Sequence, residues 1–261
     1  MNLTTSLENL GAGTLRGVGG LGIFSRFVAE SARSTADVRT WLPLLAGQMR
    51  KLGVNSLPIA LFLSAFTGIV LALQASYTFT GAIPLYFVGT LVGKTMILEL
   101  GPVLTGLALA GRIGANIAAE LGTMRVSEQI DALETMAYNP VAYLVVPRVI
   151  AGAIMFPIIV IFGDVVGIFS GLLTSMAMLE MSAQTFIRGL RLFYQHFDII
   201  YAMIKCVSFG LVITVVGCYQ GFHTRGGAEG VGIATTRAVV IAGMLILVLD
   251  AFWAATLLRG Q

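Results

Sequence analysis

The sequence predicts an all-α membrane protein, in which an N-terminal interfacial amphipathic helix precedes five transmembrane helices. Composition is the first reason: 57% of the 261 residues are hydrophobic, 11% are charged, and the mean hydropathy is +0.89. A soluble domain carries roughly 25% charged residues. Run length is the second reason, since residues 52–93 contain no charge and a spanning helix needs only about 20 apolar residues. A membrane β-barrel would instead alternate apolar and polar residues in segments of about ten.

The N-terminal part, residues 1–52, is predicted to precede the bundle. Residues 1–20 are rich in Gly and Thr, and we expect them to be loosely ordered. From Phe24 to Leu52 the pattern is amphipathic but holds too many charges for a span, which favours a helix lying in the membrane interface. An amphipathic helix packed on protein is the alternative. The apolar stripe consists of Val38, Trp41, Leu42, Leu45, Met49 and Leu52.

The remainder, residues 53–261, is predicted to form a five-span bundle, so that 1–261 is one domain. The spans are expected over 54–77, 86–121, 144–178, 199–222 and 236–258, with polar stretches at 122–140 and 179–197 and a flexible loop at 226–232. With the N-terminus inside, eleven of the sixteen Lys and Arg residues fall on the inner side. Because Lys and Arg concentrate in cytoplasmic loops, the count predicts a cytoplasmic N-terminus and a C-terminus on the opposite side.

Two glycine-rich motifs resemble nucleotide-binding loops, and both are rejected. Gly17, Gly19 and Gly22 follow no strand, and the segment 89–95 has one residue fewer between its glycines than a P-loop requires. We therefore expect no ATP site, metal site or catalytic residue in this chain. The net charge of +3 is attributed to Lys and Arg in loops, so no nucleic-acid partner is expected.

Small residues recur every four positions in two of the predicted spans. This spacing lets helix backbones approach closely in lipid. Internal packing is the simpler interpretation, and a subunit interface is the alternative. The candidate helix-packing positions are Gly106, Ala110 and Gly114 in the second span, and Gly163, Gly167 and Gly171 in the third.

Ionisable residues inside the predicted spans are candidates for a functional site. They are Lys94, Glu99, Asp164, Lys205 and Asp250, and such residues usually face a partner or a cavity. Counted from the outer ends of their spans, Lys205 and Asp250 both lie roughly 9–12 Å deep and are expected to pair, whereas Glu99 is expected to lie about 20 Å deep. The pair is either a structural salt bridge or a polar lining for a charged head group.

The segment 124–136 predicts a short amphipathic helix between the second and third spans. Ser127 is a candidate N-cap, and Val126, Ile130 and Leu133 line one face. The other face carries Glu128, Asp131 and Glu134. A docking element for another subunit and a solvated loop helix both fit this pattern.

The block from Glu99 to Pro147, beginning ELGPVLTGLALAGRIGANIAAELG, strongly resembles the MlaE (YrbE-type) permease family, the membrane subunits of MCE-associated ABC lipid transporters. The segments 71–74 (LALQ) and 234–237 (ATTR) match as well. The resemblance implies a bacterial inner-membrane permease dimer that moves phospholipids between the inner and outer membranes and maintains outer-membrane lipid asymmetry. It also implies recognition of the head group by Lys94 and Lys205, because Leu98 stands where many family members carry a basic residue.

The resemblance further implies the partners of this chain. A MlaF-like ATPase, which binds ATP and Mg, would dock on Arg125, Glu128, Gln129, Asp131 and Leu133. A MlaB-like STAS protein would bind that ATPase, and a hexameric MlaD-like MCE protein would lie on the periplasmic side.

On this basis we hypothesise an apolar cavity enclosed by spans 1, 2 and 5 of two subunits and open toward the periplasm. Two other classes of function stay open: a stand-alone secondary transporter or channel, and a structural anchor for a periplasmic lipid-binding protein. The candidate lining residues of the cavity are Gln74, Tyr77, Phe79, Glu99, Lys205 and Asp250.

Overall fold

The protein is described by a computed structural model over residues 3–78 and 83–257, with side chains from Gly19 onward. Within these residues every regular element is a helix. The helices are α1 (Leu3–Ser34), α2 (Val38–Leu52), α3 (Leu57–Thr78), α4 (Tyr86–Thr95), α5 (Gly101–Leu109), α6 (Ala115–Val126), α7 (Gln129–Thr135), α8 (Val146–Met178), α9 (Ala183–Leu192), α10 (His196–Phe222) and α11 (Gly227–Leu257).

Five stretches are long and apolar enough to cross a membrane, which confirms the predicted all-α membrane fold. Their bounds are Val38–Thr78, Tyr86–Val126, Val141–Met178, His196–Phe222 and Gly227–Leu257. The chain is therefore a multi-pass membrane protein. The end of the bundle that carries α7 is called the α7 end below, and the opposite end, which carries α9, is called the α9 end.

The N-terminal region differs from the prediction in two ways. Helix α1 begins at Leu3, so most of the segment expected to be loose is helical. Apolar residues at positions 3, 7, 10 and 18 have helical spacing, and this pattern outweighs the low helix propensity of Gly and Thr. The predicted single helix over 24–52 is also divided, because a turn at residues 35–37 separates α1 from α2. Trp41 Nε1 closes this turn by donating to the carbonyl of Thr35 at 3.0 Å.

The last span is longer than predicted. The glycine-rich segment 226–232, expected to be a loop, is helical from Gly227 onward. The turn is confined to Gly226 and Gly227, whose φ angles of 92° and 69° lie in the left-handed region that glycine adopts without a steric penalty. Buried positions on α11 form a narrow stripe spaced by four residues, and most of the remaining surface of the helix is uncovered. The stripe consists of Ala234, Ala238, Ala242 and Ile246.

The second span consists of α4, α5 and α6, which follow one another directly. π-helical turns at Met96–Leu100 and Ala110–Gly114 separate them. A third π-helical turn, Val141–Val145, precedes α8. Each such turn changes which face of the helix the following residues occupy, and π-helical turns are frequent at functional sites. The first of them contains Glu99.

Small residues place the helices at close range inside one subunit. A Cβ atom on Gly68 of α3 would collide with the carbonyl oxygen of Gly167 on α8, so the two backbones are in close contact. A Cβ atom on Gly163 would lie 2.6 Å from Ser64 Oγ, and one on Gly171 would lie 3.1 Å from the carbonyl oxygen of Gly68. In the second span Gly106, Ala110 and Gly114 are likewise buried, and the two glycines face α10. These residues serve packing between helices of the same chain.

Candidate functional site

Three charged side chains from three helical segments meet in the bundle, toward its α9 end. Lys205 of α10 contributes the ammonium group, Glu99 of the first π-helical turn lies 2.8 Å from it, and Asp250 of α11 forms a second ion pair with it. Lys205 is nine residues into α10, which corresponds to about 14 Å along the helix axis. We call these three residues the charged cluster. The predicted pairing of Lys205 with Asp250 is confirmed.

Glu99 was predicted to lie deeper than this pair, and that prediction is wrong. The depth was counted from the start of the second span near residue 86. In the structure Lys94 lies 3.4 Å from Asp198, close to the start of α10. The first turns of α4 therefore extend beyond this level, where they pack against α9. When depth is counted from the Lys94–Asp198 pair instead of residue 86, Glu99 lies about as deep in the bundle as Lys205.

A proline explains why the lysine side chain is held at this point. Pro102 has no backbone N–H, so it cannot donate to a carbonyl in the preceding turn of its helix. Lys205 Nζ donates at 2.9 Å to the carbonyl of Leu98, four residues before Pro102. The ammonium therefore donates to this carbonyl and to a carboxylate oxygen of Glu99, and it forms an ion pair with Asp250.

Burial differs sharply among the three members of the charged cluster. The side chain of Lys205 is 0% exposed and that of Asp250 is 14% exposed, whereas that of Glu99 is 45% exposed. The carboxylate of Glu99 is thus the open face of the cluster. An ionised group within a membrane span is not left against hydrocarbon, so this face requires a water-filled cavity or another protein surface.

The other predicted cavity residues do not join the charged cluster. Gln74 and Tyr77 lie on the last turns of α3, where Tyr77 is 87% exposed. In the part of the chain that the structure describes, neither side chain bonds to Glu99 or Lys205. Phe79 lies outside the described residues. Lys205 is fully buried, whereas Lys94 is 35% exposed and lies 3.4 Å from Asp198. Recognition of a head group by these two lysines stays a prediction.

Asp164 is buried in α8 without an ionic partner among the described residues. It is 8% exposed, and its Oδ1 atom accepts no hydrogen bond. A Cβ atom on Gly101 would collide with this carboxyl group, so the glycine provides the space for it. Asp164 stays apart from the ion pairs of the charged cluster.

The predicted short helix exists, but its boundaries and cap differ. Helix α6 continues to Val126, and α7 covers only Gln129–Thr135. Ser127 is not the N-cap, since its hydroxyl donates to the carbonyl of Thr123 at 2.8 Å. Glu128 occupies the cap position with φ of 59°, and Ala137 beyond the helix has φ of 61°.

Helix α7 presents the acidic surface that the sequence indicated. Ile130 is 0% exposed and Leu133 is half-buried against the core, whereas Val126 is 40% exposed and does not belong to the buried face. Arg125 forms an ion pair with Asp131. The exposed side chains at this position are Glu128, Gln129, Asp131 and Glu134.

An ionic cluster that joins α2, α6 and α8 was missed by the sequence reasoning. Glu120 of α6 lies 2.6 Å from Lys51 of α2 and 3.1 Å from Arg148 of α8. Arg148 is buried and also donates to the carbonyl of Leu144. Each of the three helices contributes one partner of these ion pairs, which tie α2, α6 and α8 together.

The fold and the site define a class of protein: a multi-pass membrane protein with an ionic cluster inside its bundle and a short acidic helix on one end. The sequence matches the permease MlaE family over residues 45–256. It is 39% identical over 239 residues to a probable ABC transporter permease protein of Rickettsia prowazekii (strain Madrid E), which covers 92% of each chain.

Two further relatives carry more specific names. The chain is 35% identical over 215 residues to the intermembrane phospholipid transport system permease protein MlaE of Haemophilus influenzae, covering 82% of each chain. It is 37% identical over 203 residues to the chloroplastic protein TRIGALACTOSYLDIACYLGLYCEROL 1 of Arabidopsis thaliana, covering 78% of this chain and 58% of that one. The chain belongs to the MlaE permease family, which confirms the resemblance.

Proposed function

We propose that this protein is the permease subunit of an ABC transporter that moves phospholipids between the inner and outer membranes of a bacterium and so maintains outer-membrane lipid asymmetry. The observation that carries the proposal is the half-exposed Glu99 carboxylate on an otherwise buried ionic cluster. A bundle with no transport path has no use for an open carboxylate within a span. The phospholipid transport named for the Haemophilus relative supplies the substrate class.

A second copy of the chain completes the path. Exposed polar groups within a span must face protein or water, and the described residues of one subunit leave the Glu99 side chain 45% exposed. Helix α11 beside it is largely uncovered. A two-fold dimer would cover both and enclose a cavity between spans 1, 2 and 5. Lipid tails would contact its apolar walls, and because such contacts are non-directional, selection among acyl chains would be weak.

Energy for transport comes from a separate ATPase in this proposal, and the chain itself binds no cofactor and catalyses no reaction. A MlaF-like ATPase would hold ATP and Mg and would dock on α7, whose acidic side chains project from a buried Ile130. The ion pairs of Glu120 with Lys51 and Arg148 would carry motion of α7 into three spans. A MlaB-like STAS protein on the ATPase and a MlaD-like MCE hexamer on the α9 end complete the assembly.

Docking of the ATPase on α7 would also set the orientation in the membrane. The α7 end and the N-terminus would be cytoplasmic, and the α9 end and the C-terminus would be periplasmic, in the inner membrane. Arg112, Arg125, Arg148 and Arg237 then lie toward the cytoplasmic side, in agreement with the preference of basic residues for that side.

The test is transport of a fluorescent phospholipid between liposomes by the full chain purified with a MlaF-like ATPase. We expect ATP-dependent transfer, and we expect Glu128→Gln, Asp131→Asn and Glu134→Gln together to abolish it while the chain remains monodisperse. Glu180→Gln, which removes an exposed carboxylate at the α9 end, is the matched control. Transfer by the chain without the ATPase would overturn the proposal in favour of a secondary transporter. An unaffected triple variant would favour a structural anchor.

A further inference from the structure

We infer that a cleft toward the α7 end of the bundle binds the phosphate group of a phospholipid, whose acyl chains lie along the exposed face of α3. The cleft has a volume of about 320 Å³ and lies between the end of α2 and the second span. It is separate from the charged cluster, because Arg112 follows Glu99 by 13 residues, or about 20 Å along the helix. The inference depends on the membrane spans and not on the proposed transport. The polar residues that line the cleft are Lys51, Asn55, Ser56, Arg112 and Asn116.

The cleft has an excess of positive charge. Glu120 lies 2.6 Å from Lys51 and 3.1 Å from Arg148, so these three residues together carry a net charge of +1. Arg112 adds a further positive charge, and among the residues whose side chains are described it has no ion-pair partner. The electrostatic field of the cleft therefore attracts an anion.

The hydrogen-bond donors of the cleft match an oxyanion. Lys51 uses one N–H on Glu120, and an ammonium group has three, so two remain. The guanidinium of Arg112 offers a planar fork of N–H groups that fits a phosphate. Asn55 and Asn116 each bring an amide group, and within the described side chains neither amide takes part in a hydrogen bond. All four side chains are exposed, so a ligand can reach them.

Ser56 supplies an unpaired hydroxyl in the wall of the cleft. The residue is 0% exposed, and its Oγ atom has no hydrogen-bond partner among the described residues. Serine and threonine hydroxyls inside helices often donate to the carbonyl four residues earlier, as Thr67 does at 2.8 Å. A buried polar atom without a partner costs free energy. An acceptor oxygen of a phosphate in the cleft accounts for this hydroxyl.

The exposed face of α3 beside the cleft favours a lipid over a free phosphate. Ile59 lies four residues after Asn55, on the same face of the first span. Phe62 and Phe66 continue this face, and all three apolar side chains are exposed, Phe62 by 67%. From position 55 to position 66 the face is about 16 Å long, roughly one leaflet of a hydrocarbon core about 30 Å thick. Acyl chains therefore find a surface that continues directly from the cleft, whereas a free phosphate makes no use of it.

The experiment labels the site with a lipid. The full chain in detergent is mixed with phosphatidylglycerol that carries a photoreactive diazirine near the glycerol end of one acyl chain, and labelled peptides are mapped by mass spectrometry. We expect labelling within residues 55–62. Unlabelled phosphatidylglycerol should compete at about tenfold lower concentration than diacylglycerol with the same acyl chains, the effect of one charge-assisted hydrogen bond. Glycerol 3-phosphate, which has the phosphate but no acyl chain, should not compete in this range.

Three variants test which residues hold the phosphate. Arg112→Gln should reduce the labelling about tenfold. Arg50→Gln is the matched control, because Arg50 is an exposed neighbour of Lys51 that does not line the cleft, and it should label like the wild type. Ser56→Ala should reduce the labelling without lowering the melting temperature, because it removes a hydroxyl that has no partner in the chain. A lower melting temperature would instead assign this hydroxyl to packing.

Three results would overturn the inference. Competition by diacylglycerol as strong as that by phosphatidylglycerol would exclude recognition of the phosphate. Competition by glycerol 3-phosphate at the same concentration as the lipid would replace the lipid by a free phosphate as the ligand. Labelling that is absent from residues 55–62, or unchanged in Arg112→Gln, would exclude the site. None of these results contradicts the proposed function, whose own test is ATP-dependent lipid transfer.

Discussion

Replacing Lys205 by Met should destabilise the bundle far more than the same change at an exposed lysine. The substitution leaves Glu99 and Asp250 without their shared positive charge, and Asp250 is only 14% exposed. Breaking a buried ion pair from one side costs about 3–5 kcal/mol. With roughly 2–4 °C per kcal/mol for domains of similar size, the expected loss in melting temperature is on the order of 10 °C.

The matched control is Lys51→Met. Lys51 lies 2.6 Å from Glu120, but the two side chains are 41% and 33% exposed, and exposed pairs contribute about 1 kcal/mol or less. The assay is thermal unfolding of the purified chain in detergent, followed by the loss of the monodisperse peak in size-exclusion chromatography. Because both variants exchange the same two residue types, burial is the main difference between them.

A double variant separates structure from transport. Lys205→Met with Asp250→Leu removes the buried acid that the single variant leaves unpaired, so it should recover most of the lost stability. Lipid transport driven by the ATPase should stay lost, because Glu99 no longer has the cation that pairs with it. Equal melting temperatures for Lys205→Met and Lys51→Met would refute the energetic argument. A double variant no more stable than the single one would refute the assignment of the destabilisation to Asp250.

Five further substitutions, in three tests, address packing, coupling and backbone strain. Gly68→Ala should destabilise the chain by roughly 1–3 kcal/mol, because the added methyl group would collide with the α8 backbone. Gly232→Ala meets nothing within 4 Å and should stabilise the chain by about 0.5–1 kcal/mol. Thermal unfolding compares the two variants. Asp131→Ala should change the melting temperature little but reduce ATP-dependent lipid transfer in liposomes. Ala137→Gly should raise the free energy of unfolding by roughly 1 kcal/mol, because glycine adopts the left-handed backbone at this position without strain. Ala132→Gly inside α7 should lower it by a similar amount. Chemical unfolding should therefore show changes of opposite sign for the two variants.

The spans could be predicted because the length of an apolar run can be read directly from the sequence. Apolar length alone decides whether a helix crosses a bilayer, and all five predicted spans exist with shifts at their ends. The pairing of Lys205 with Asp250 followed from the same counting, because α10 and α11 each reach the α9 end without an interruption.

The site was harder to predict because it depends on features that residue counting does not contain. Glu99 was placed too deep, since nothing in the sequence showed that the first turns of α4 rise beyond the Lys94–Asp198 pair. The role of Pro102 depends on which side chain lies near the carbonyl of Leu98, and that is a tertiary contact. The ion pairs of Glu120 join three distant segments of the chain and have no local pattern. Helix α9 had a weak signal, Ser182, whose hydroxyl caps it by accepting from the backbone N–H of Thr185.

The narrow alanine stripe of α11 has a mechanical consequence. Three of the four buried residues of α11 are alanines, so few long side chains interlock this helix with its neighbours. The glycine contact between α3 and α8 instead presses backbone against backbone. Within the described residues, the salt bridge of α11 is its link to Lys205, near the far end of the helix. The bundle therefore combines a tightly packed pair, α3 and α8, with the loosely packed helix α11. The ion pair with Lys205 holds α11 in place.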